Sequence, residues 1–141
     1  MIARAGWLAA ALSCVAILFV ARALEPSPTG LGTHQALGFP PCGFLVYFER
    51  PCPGCGLTTS FAHLARFELG PALKANAAGA YLFALNLGLI PLGLFGALRG
   101  LRLSSLFEAR ASRLLLTSAS GLALLAIFGG WIARLVFWEA A

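Results

Sequence analysis

Charge is what this sequence has least of. Only 11% of its 141 residues are Asp, Glu, Lys or Arg, whereas 60% are hydrophobic, and the mean hydropathy is +0.87. Soluble domains keep about a quarter of their residues charged, so this composition excludes an ordinary water-soluble domain. Acidic residues are the scarcest, with 5 Asp and Glu against 10 Lys and Arg, and no paired carboxylates occur within the apolar runs.

Signatures of common enzymes and nucleic-acid-binding proteins are lacking too. No Ser-His-Asp grouping and no phosphate-binding loop is visible. No basic stripe with interleaved aromatic residues points to a nucleic-acid partner. There is no internal repeat and no soluble module long enough to fold alone, which predicts a single membrane domain over residues 1–141. Whether the chain is an enzyme stays open, and the sequence favours a non-enzymatic role.

Three apolar stretches are long enough to cross a bilayer, which takes about 20 mostly apolar residues in a helix. They lie at about residues 5–24, 75–98 and 114–133. The last two contain no charged residue, and Trp131 and Trp138 near the end of the third suit interfacial anchors. The first stretch is shorter and also resembles a cleavable secretory signal, but Arg22 at its end favours an uncleaved anchor.

The distribution of basic residues predicts the orientation of the chain. The short connection 99–113 carries four arginines and one glutamate, so we expect it in the cytoplasm. The long connection 25–74 is much less basic for its length and should face outward. Arg4 agrees, because it keeps the amino terminus on the cytoplasmic side. These features predict an all-α protein of the bacterial inner (plasma) membrane, with its amino terminus cytoplasmic and its long loop extracytoplasmic.

The long loop contains the residues best able to do chemistry. The sequence Cys-Pro-Gly-Cys-Gly places Cys52 and Cys55 one short turn apart, and Cys42 precedes them. Two intervening residues let both sulfurs point into one space, where they can bind one metal ion at about 2.3 Å or form a disulfide. Gly54 and Gly56 permit a positive φ or a close backbone approach in this turn.

A short helix is predicted after the turn. Apolar residues recur at three- and four-residue spacings over residues 58–67, and Thr58 or Thr59 can cap the first turn through a hydroxyl. We expect this helix to lie at the outer membrane surface. Gly70 is a natural stop, and the next helix should begin at Pro71 and continue into the second span.

Three uses of the cysteines stay open on this evidence. Beside Cys52 and Cys55, a four-ligand metal site needs Cys42 and one further ligand, for which His63 is the first candidate and His34 a weaker one. A membrane thiol-disulfide oxidoreductase would use Cys52 and Cys55 as its redox pair, but the chain lacks a surrounding βαβ pattern and a second cysteine pair. A disulfide could instead fasten the loop. The sequence favours a structural or metal-binding element, with zinc as the candidate ion.

A polar residue inside the second span has two interpretations. Asn86 is costly in lipid unless it finds a partner, and a hydrogen bond to another helix is its commoner role. A transport function around Asn86 and Pro91 is the rarer alternative. Besides the lipid bilayer, we expect either a second copy of the chain or a membrane partner, although the Gly96 and Gly100 pair is only a weak dimerisation signal.

The cysteine motif resembles that of a bacterial membrane family catalogued as domain of unknown function 2752. That family has a cysteine, a short apolar stretch, a Cys-Pro-x-Cys-Gly-x-Thr-Arg motif that opens a helix, and then a span that starts near an asparagine. The residues that fit this pattern are Cys42, Cys52, Cys55, Gly56, Thr58 and Asn76. The resemblance covers about residues 39–98 and implies a small multi-span membrane protein with three grouped cysteines. It implies no established activity.

One departure from the family pattern concerns charge. Thr59 stands where the family has an arginine. If that arginine steadies a thiolate or binds an anion in the relatives, this chain has lost the contact unless Arg50 or Arg66 supplies it.

Overall fold

The computed structural model describes residues 2–101 and 110–136, and all regular structure in these ranges is helical. In chain order the helices are α1 (Ile2–Ala23), a 3₁₀ turn (Thr33–Leu37), α2 (Gly43–Phe48), α3 (Leu57–Leu64), α4 (Leu69–Ala75), α5 (Ala77–Arg99) and α6 (Arg110–Val136). Residues 102–109 of the predicted connection 99–113, and Trp138, lie outside the described residues.

Three helices are long and apolar enough to cross a membrane, and they contain the segments Ala3–Ala23, Ala77–Arg99 and Ser112–Val136. The predicted fold class, an all-α protein with three membrane-spanning helices, is therefore confirmed. The predicted short helix after the cysteine turn is also present, as α3. Two other short elements of the long connection between α1 and α5, the 3₁₀ turn and α4, contact α3.

Helices α1 and α5 form the main helix pair, and small residues allow their close contact. A side chain at Gly96 would lie 2.5 Å from the Trp7 ring, so only glycine fits beneath the indole. The Trp7 indole N–H donates to the Leu101 carbonyl at 2.9 Å. Deeper in the pair, the Asn86 side chain donates to the Cys14 carbonyl at 3.2 Å. Asn86 thus has the interhelical hydrogen bond that the sequence analysis favoured for it.

Helix α3 packs on α5 at the end of α5 that is nearer the cysteines. A Cβ atom at Gly79 would lie 2.7 Å from the Ser60 Cβ, so the two helix backbones are close there. The Phe61 and Phe83 rings meet edge to face with centroids 5.3 Å apart. Because α3 begins directly after the cysteine turn, this packing fixes the turn against the second span.

The predicted cap of α3 is wrong. The helix begins at Leu57 and ends at Leu64, and its cap residue is Gly56 in the left-handed conformation (φ 81°), without a side-chain hydrogen bond. Thr58 lies within the first turn and is half-buried. Thr59 is fully buried, where its hydroxyl meets the Thr33 hydroxyl at 2.8 Å. The threonine hydroxyl therefore bridges α3 to the 3₁₀ turn instead of capping the helix.

The predicted continuous helix from Pro71 into the second span is also wrong. Gly70 does not stop a helix, because both Gly70 and Pro71 lie in the first turn of α4, where proline is tolerated since the first backbone N–H groups have no partner within the helix. The chain then breaks at Asn76, whose backbone is extended (φ −166°, ψ 110°), before α5 begins. This break lies directly beside the cysteine turn.

Candidate metal centre

Three of the four cysteines lie together. The sulfur atoms of Cys42, Cys52 and Cys55 are all within 4.8 Å of one another. Cys55 is buried, and Cys42 and Cys52 are half-buried. All are free thiols, as is Cys14, which lies in α1 away from this group. The grouping of three thiols expected from the motif is therefore present.

The turn between Cys52 and Cys55 is closed by its own backbone. The Cys55 N–H donates to the Cys52 carbonyl at 3.1 Å. In return, the Cys52 N–H donates to the Cys55 sulfur at 3.3 Å. A backbone N–H directed at sulfur favours the thiolate that a metal ion requires. Gly56 has the positive φ that the sequence allows for, whereas Gly54 does not.

The third thiol is positioned by α2. Cys42 is the residue that precedes this helix. The pKa of Cys42 is lowered, chiefly because the backbone N–H of Leu45 donates a hydrogen bond to its sulfur, while burial acts in the opposite direction. For Cys55 the balance is reversed. Burial, followed by the neighbouring Cys52 thiol, raises the pKa of Cys55 to about 12. Without a cation Cys55 is therefore a neutral thiol near pH 7, and a metal ion has to displace its proton to bind.

Asn76 connects the turn to the second span. Its side-chain N–H₂ donates to the carbonyl of Cys55 at 3.0 Å and to that of Pro53 at 3.3 Å. Its side-chain oxygen accepts the backbone N–H of Gly79 at 3.1 Å and so caps α5. Asn76 is only 2% exposed. The asparagine of the family pattern thus has a structural position between the cysteines and the membrane-spanning helix.

An arginine from the third span also reaches the turn. One nitrogen of the Arg134 guanidinium donates to the Cys55 carbonyl at 2.7 Å and to the Ala75 carbonyl at 3.1 Å. The other donates to the Pro53 carbonyl at 3.4 Å. Arg134 is not among the site residues predicted from the sequence, and it is 79 positions away from Cys55.

A signal for Arg134 does exist in the sequence. It is a basic residue placed just beyond the predicted third span, at the end that the positive-inside pattern assigns to the outer face.

The two arginines considered as substitutes for the missing family arginine, Arg50 and Arg66, make their hydrogen bonds elsewhere. Arg50 donates to the Leu135 carbonyl at 3.1 Å, and Arg66 to the Ala62 carbonyl at 2.9 Å.

Trp131, one turn before Arg134, closes the same side of the site. Its indole N–H donates to the carbonyl of buried Pro51 at 2.8 Å. Its ring lies edge to face with Phe44 of α2, with centroids 6.3 Å apart. The end of α6 therefore touches both the cysteine turn and the helix that follows Cys42.

The two histidines lie in other surroundings. His63 forms an ion pair with Glu68, with 2.6 Å between its Nδ1 and a carboxylate oxygen. His34 has its Nε2 3.1 Å from the Pro40 carbonyl oxygen. Within the described ranges, the close group of ligand atoms consists of the sulfurs of Cys42, Cys52 and Cys55.

Comparison with known proteins finds one family model that matches part of the chain. Residues 42–90 match the model of a family described as "Protein of unknown function (DUF2752)". The matched segment starts at Cys42 and includes the cysteine turn, Asn76 and Asn86. No curated protein and no solved structure matches the chain. The family resemblance predicted from the cysteine motif is confirmed over this segment.

Proposed function

We propose that this chain is a small three-span membrane protein that binds a thiophilic metal ion through Cys42, Cys52 and Cys55. The observation that carries the proposal is the approach of the three sulfurs to within 4.8 Å of one another. In a tetrahedral zinc site with Zn–S bonds of about 2.3 Å, two sulfurs are about 3.8 Å apart. The observed limit of 4.8 Å exceeds that spacing by about 1 Å.

The donor set narrows the kind of ion. Thiolates are soft ligands that favour zinc and other thiophilic metals over magnesium or calcium. Three protein ligands leave one coordination position, which water or a donor from another molecule can take. His63 is held by Glu68 and is the less suitable source of that donor. A second copy of the chain or a membrane partner is the alternative source.

The location of the site is part of the proposal. We place the loop 25–74 on the outer side of a bacterial inner membrane, with the amino terminus in the cytoplasm. The arginines of the connection 99–113 support this orientation, because short cytoplasmic loops are enriched in basic residues. Labelling of Cys52 in intact cells with a membrane-impermeant thiol reagent tests it. Labelling only after the membrane is broken would place the site inside.

The metal content of purified protein tests the function. We expect close to one zinc ion per chain after reconstitution, and a loss of most of it in each of the variants Cys42→Ser, Cys52→Ser and Cys55→Ser. Cys14→Ala is the matched control, because Cys14 is buried in α1 and lies outside the group. A wild-type chain without stoichiometric metal, or serine variants that keep it, would overturn the proposal.

A second function is favoured by the unequal exposure of the motif cysteines. Cys52 is half-buried while Cys55 is buried behind it, an arrangement that suits an attacking and a resolving thiol. The Cys52 thiolate would attack a partner's disulfide, form a mixed disulfide and release one partner thiolate. Cys55 would then displace the second, leaving a Cys52–Cys55 disulfide and a reduced partner. Cys55→Ala should accumulate the mixed disulfide, and its absence would exclude this alternative.

A further inference from the structure

The Arg134 guanidinium brings a positive charge to the centre, and no carboxylate among the described residues forms an ion pair with it. Its two terminal nitrogens donate three hydrogen bonds to backbone carbonyl oxygens, those of Pro53, Cys55 and Ala75. Within the described ranges the ion pair found is that between His63 and Glu68. The carbonyls of Cys55 and Pro53 that Arg134 contacts belong to the turn that carries Cys52 and Cys55, whose thiols can become negatively charged thiolates.

A positive charge that is partly withdrawn from water is costly unless something balances it. Three thiolates around a divalent cation leave one net negative charge. A single guanidinium cancels that charge, and Arg134 is half-buried beside the turn that carries two of the three sulfurs. Arg50 is an unsuitable alternative, since its side chain is exposed and is bonded to the Leu135 carbonyl.

We infer that Arg134 is the counter-charge of a three-thiolate centre for a divalent cation, so that the third membrane span is part of the site. This inference rests on the proposed metal-binding function. Arg134 acts as a positioning residue: it touches the turn carbonyls rather than the ion, and it holds the turn and lowers the electrostatic cost of three adjacent thiolates.

The same contacts also dock α6 onto the cysteine turn, and a purely structural role has to be separated from the role of the charge. Trp131 provides the means, because its indole N–H joins α6 to Pro51 without contributing charge. Arg134→Lys keeps the positive charge but changes the hydrogen bonds. Arg134→Gln removes the charge but still offers side-chain N–H donors to the carbonyls. Trp131→Phe removes a docking bond alone.

The test uses the full-length chain in detergent with Co²⁺ as the probe. Thiolate-to-cobalt charge-transfer absorption reports sulfur ligation, and competition with Zn²⁺ gives relative affinities. We expect Arg134→Gln to bind about 10- to 100-fold more weakly than wild type, as is usual when a partner outside the ligand set is lost. Arg134→Lys and Trp131→Phe should both lie closer to wild type than to the glutamine variant.

The possible results distinguish the counter-charge role of Arg134 from the metal-binding function on which it rests. A wild-type chain without sulfur-to-cobalt absorption would overturn both. Normal binding by wild type together with undiminished binding by Arg134→Gln would overturn only the counter-charge. Equal weakening in Arg134→Lys, or in Trp131→Phe, would assign Arg134 a docking role and also overturn it. If Arg134→Gln fails to fold, Arg134→Lys provides the test. Metal affinity close to that of wild type supports the counter-charge, and a clear loss of affinity overturns it.

Discussion

Replacement of Gly56 by alanine should open the cysteine turn. A Cβ atom at this position would lie 2.4 Å from the Ala75 carbonyl oxygen and 2.9 Å from that of Gly30. Both are backbone atoms, so no side-chain rotation can relieve the contact. The residue also has a φ of 81°, which glycine tolerates and alanine does not.

The size of the effect follows from these two terms. The left-handed backbone costs alanine about 1–2 kcal/mol, and forced movement of a packed backbone costs about 1–3 kcal/mol. The sum predicts a turn destabilised by about 2–5 kcal/mol. Since about 1.4 kcal/mol is tenfold in an equilibrium constant, the open form should become about 30-fold or more populated.

The assay is the alkylation rate of Cys55 in metal-free protein, because this thiol is buried and reacts only when the turn opens. Cys14→Ala provides a background in which fewer thiols are counted. Gly54→Ala is the matched control, since its Cβ would meet only the Cys52 sulfur, at 3.9 Å, and its φ is not positive. Equal labelling rates in the two glycine variants would refute the reasoning.

Other substitutions test the connections between the site and the spans. Asn76→Ala should lower the stability of the turn by about 1–3 kcal/mol and reduce metal retention during dialysis against a chelator; retention equal to wild type would contradict its bridging role. Asn86→Leu should cost about 0.5–2 kcal/mol of helix packing, seen as a lower melting temperature with unchanged metal stoichiometry; an unchanged melting temperature would count against its helix–helix bond. Gly96→Ala should disturb the contact with Trp7, measured as a loss of thermal stability in detergent, whereas Gly88→Ala, which meets nothing within 4 Å, should not; equal stability of the two variants would contradict this packing.

The sequence was sufficient for the features that depend on local length and spacing. Each membrane span is a continuous apolar stretch, so its existence follows from about 20 consecutive residues. The pairing of Cys52 and Cys55 follows from the two residues between them. The approach of Cys42 came from the family pattern, and in the structure α2 brings this thiol to the other two.

The errors arise where a tertiary contact overrides a local preference. Thr59 looks like a helix cap in the sequence, but a buried bond to Thr33 uses its hydroxyl, and Gly56 takes the cap position because the Ala75 backbone leaves no room for a side chain. The break at Asn76 was missed for a similar reason. Its side-chain N–H₂ donates to two carbonyls of the cysteine turn, and a local helical pattern does not reveal these contacts.

Arg134 is the clearest case of a site residue that the sequence alone does not predict. Its contact with Cys55 joins residues 79 positions apart, and nothing in the local sequence around either one predicts the other. Only its position points to it, because Arg134 is a basic residue at the end of the third span that the positive-inside pattern predicts to face outward.

X-ray absorption at the zinc edge of reconstituted protein shows whether the three cysteines hold the ion. A three-cysteine centre predicts three sulfur scatterers at about 2.3 Å and one lighter ligand, with fewer sulfurs in Cys42→Ser than in wild type. A shell made only of oxygen and nitrogen, or a wild-type shell without sulfur from Cys42, would contradict a three-cysteine metal centre.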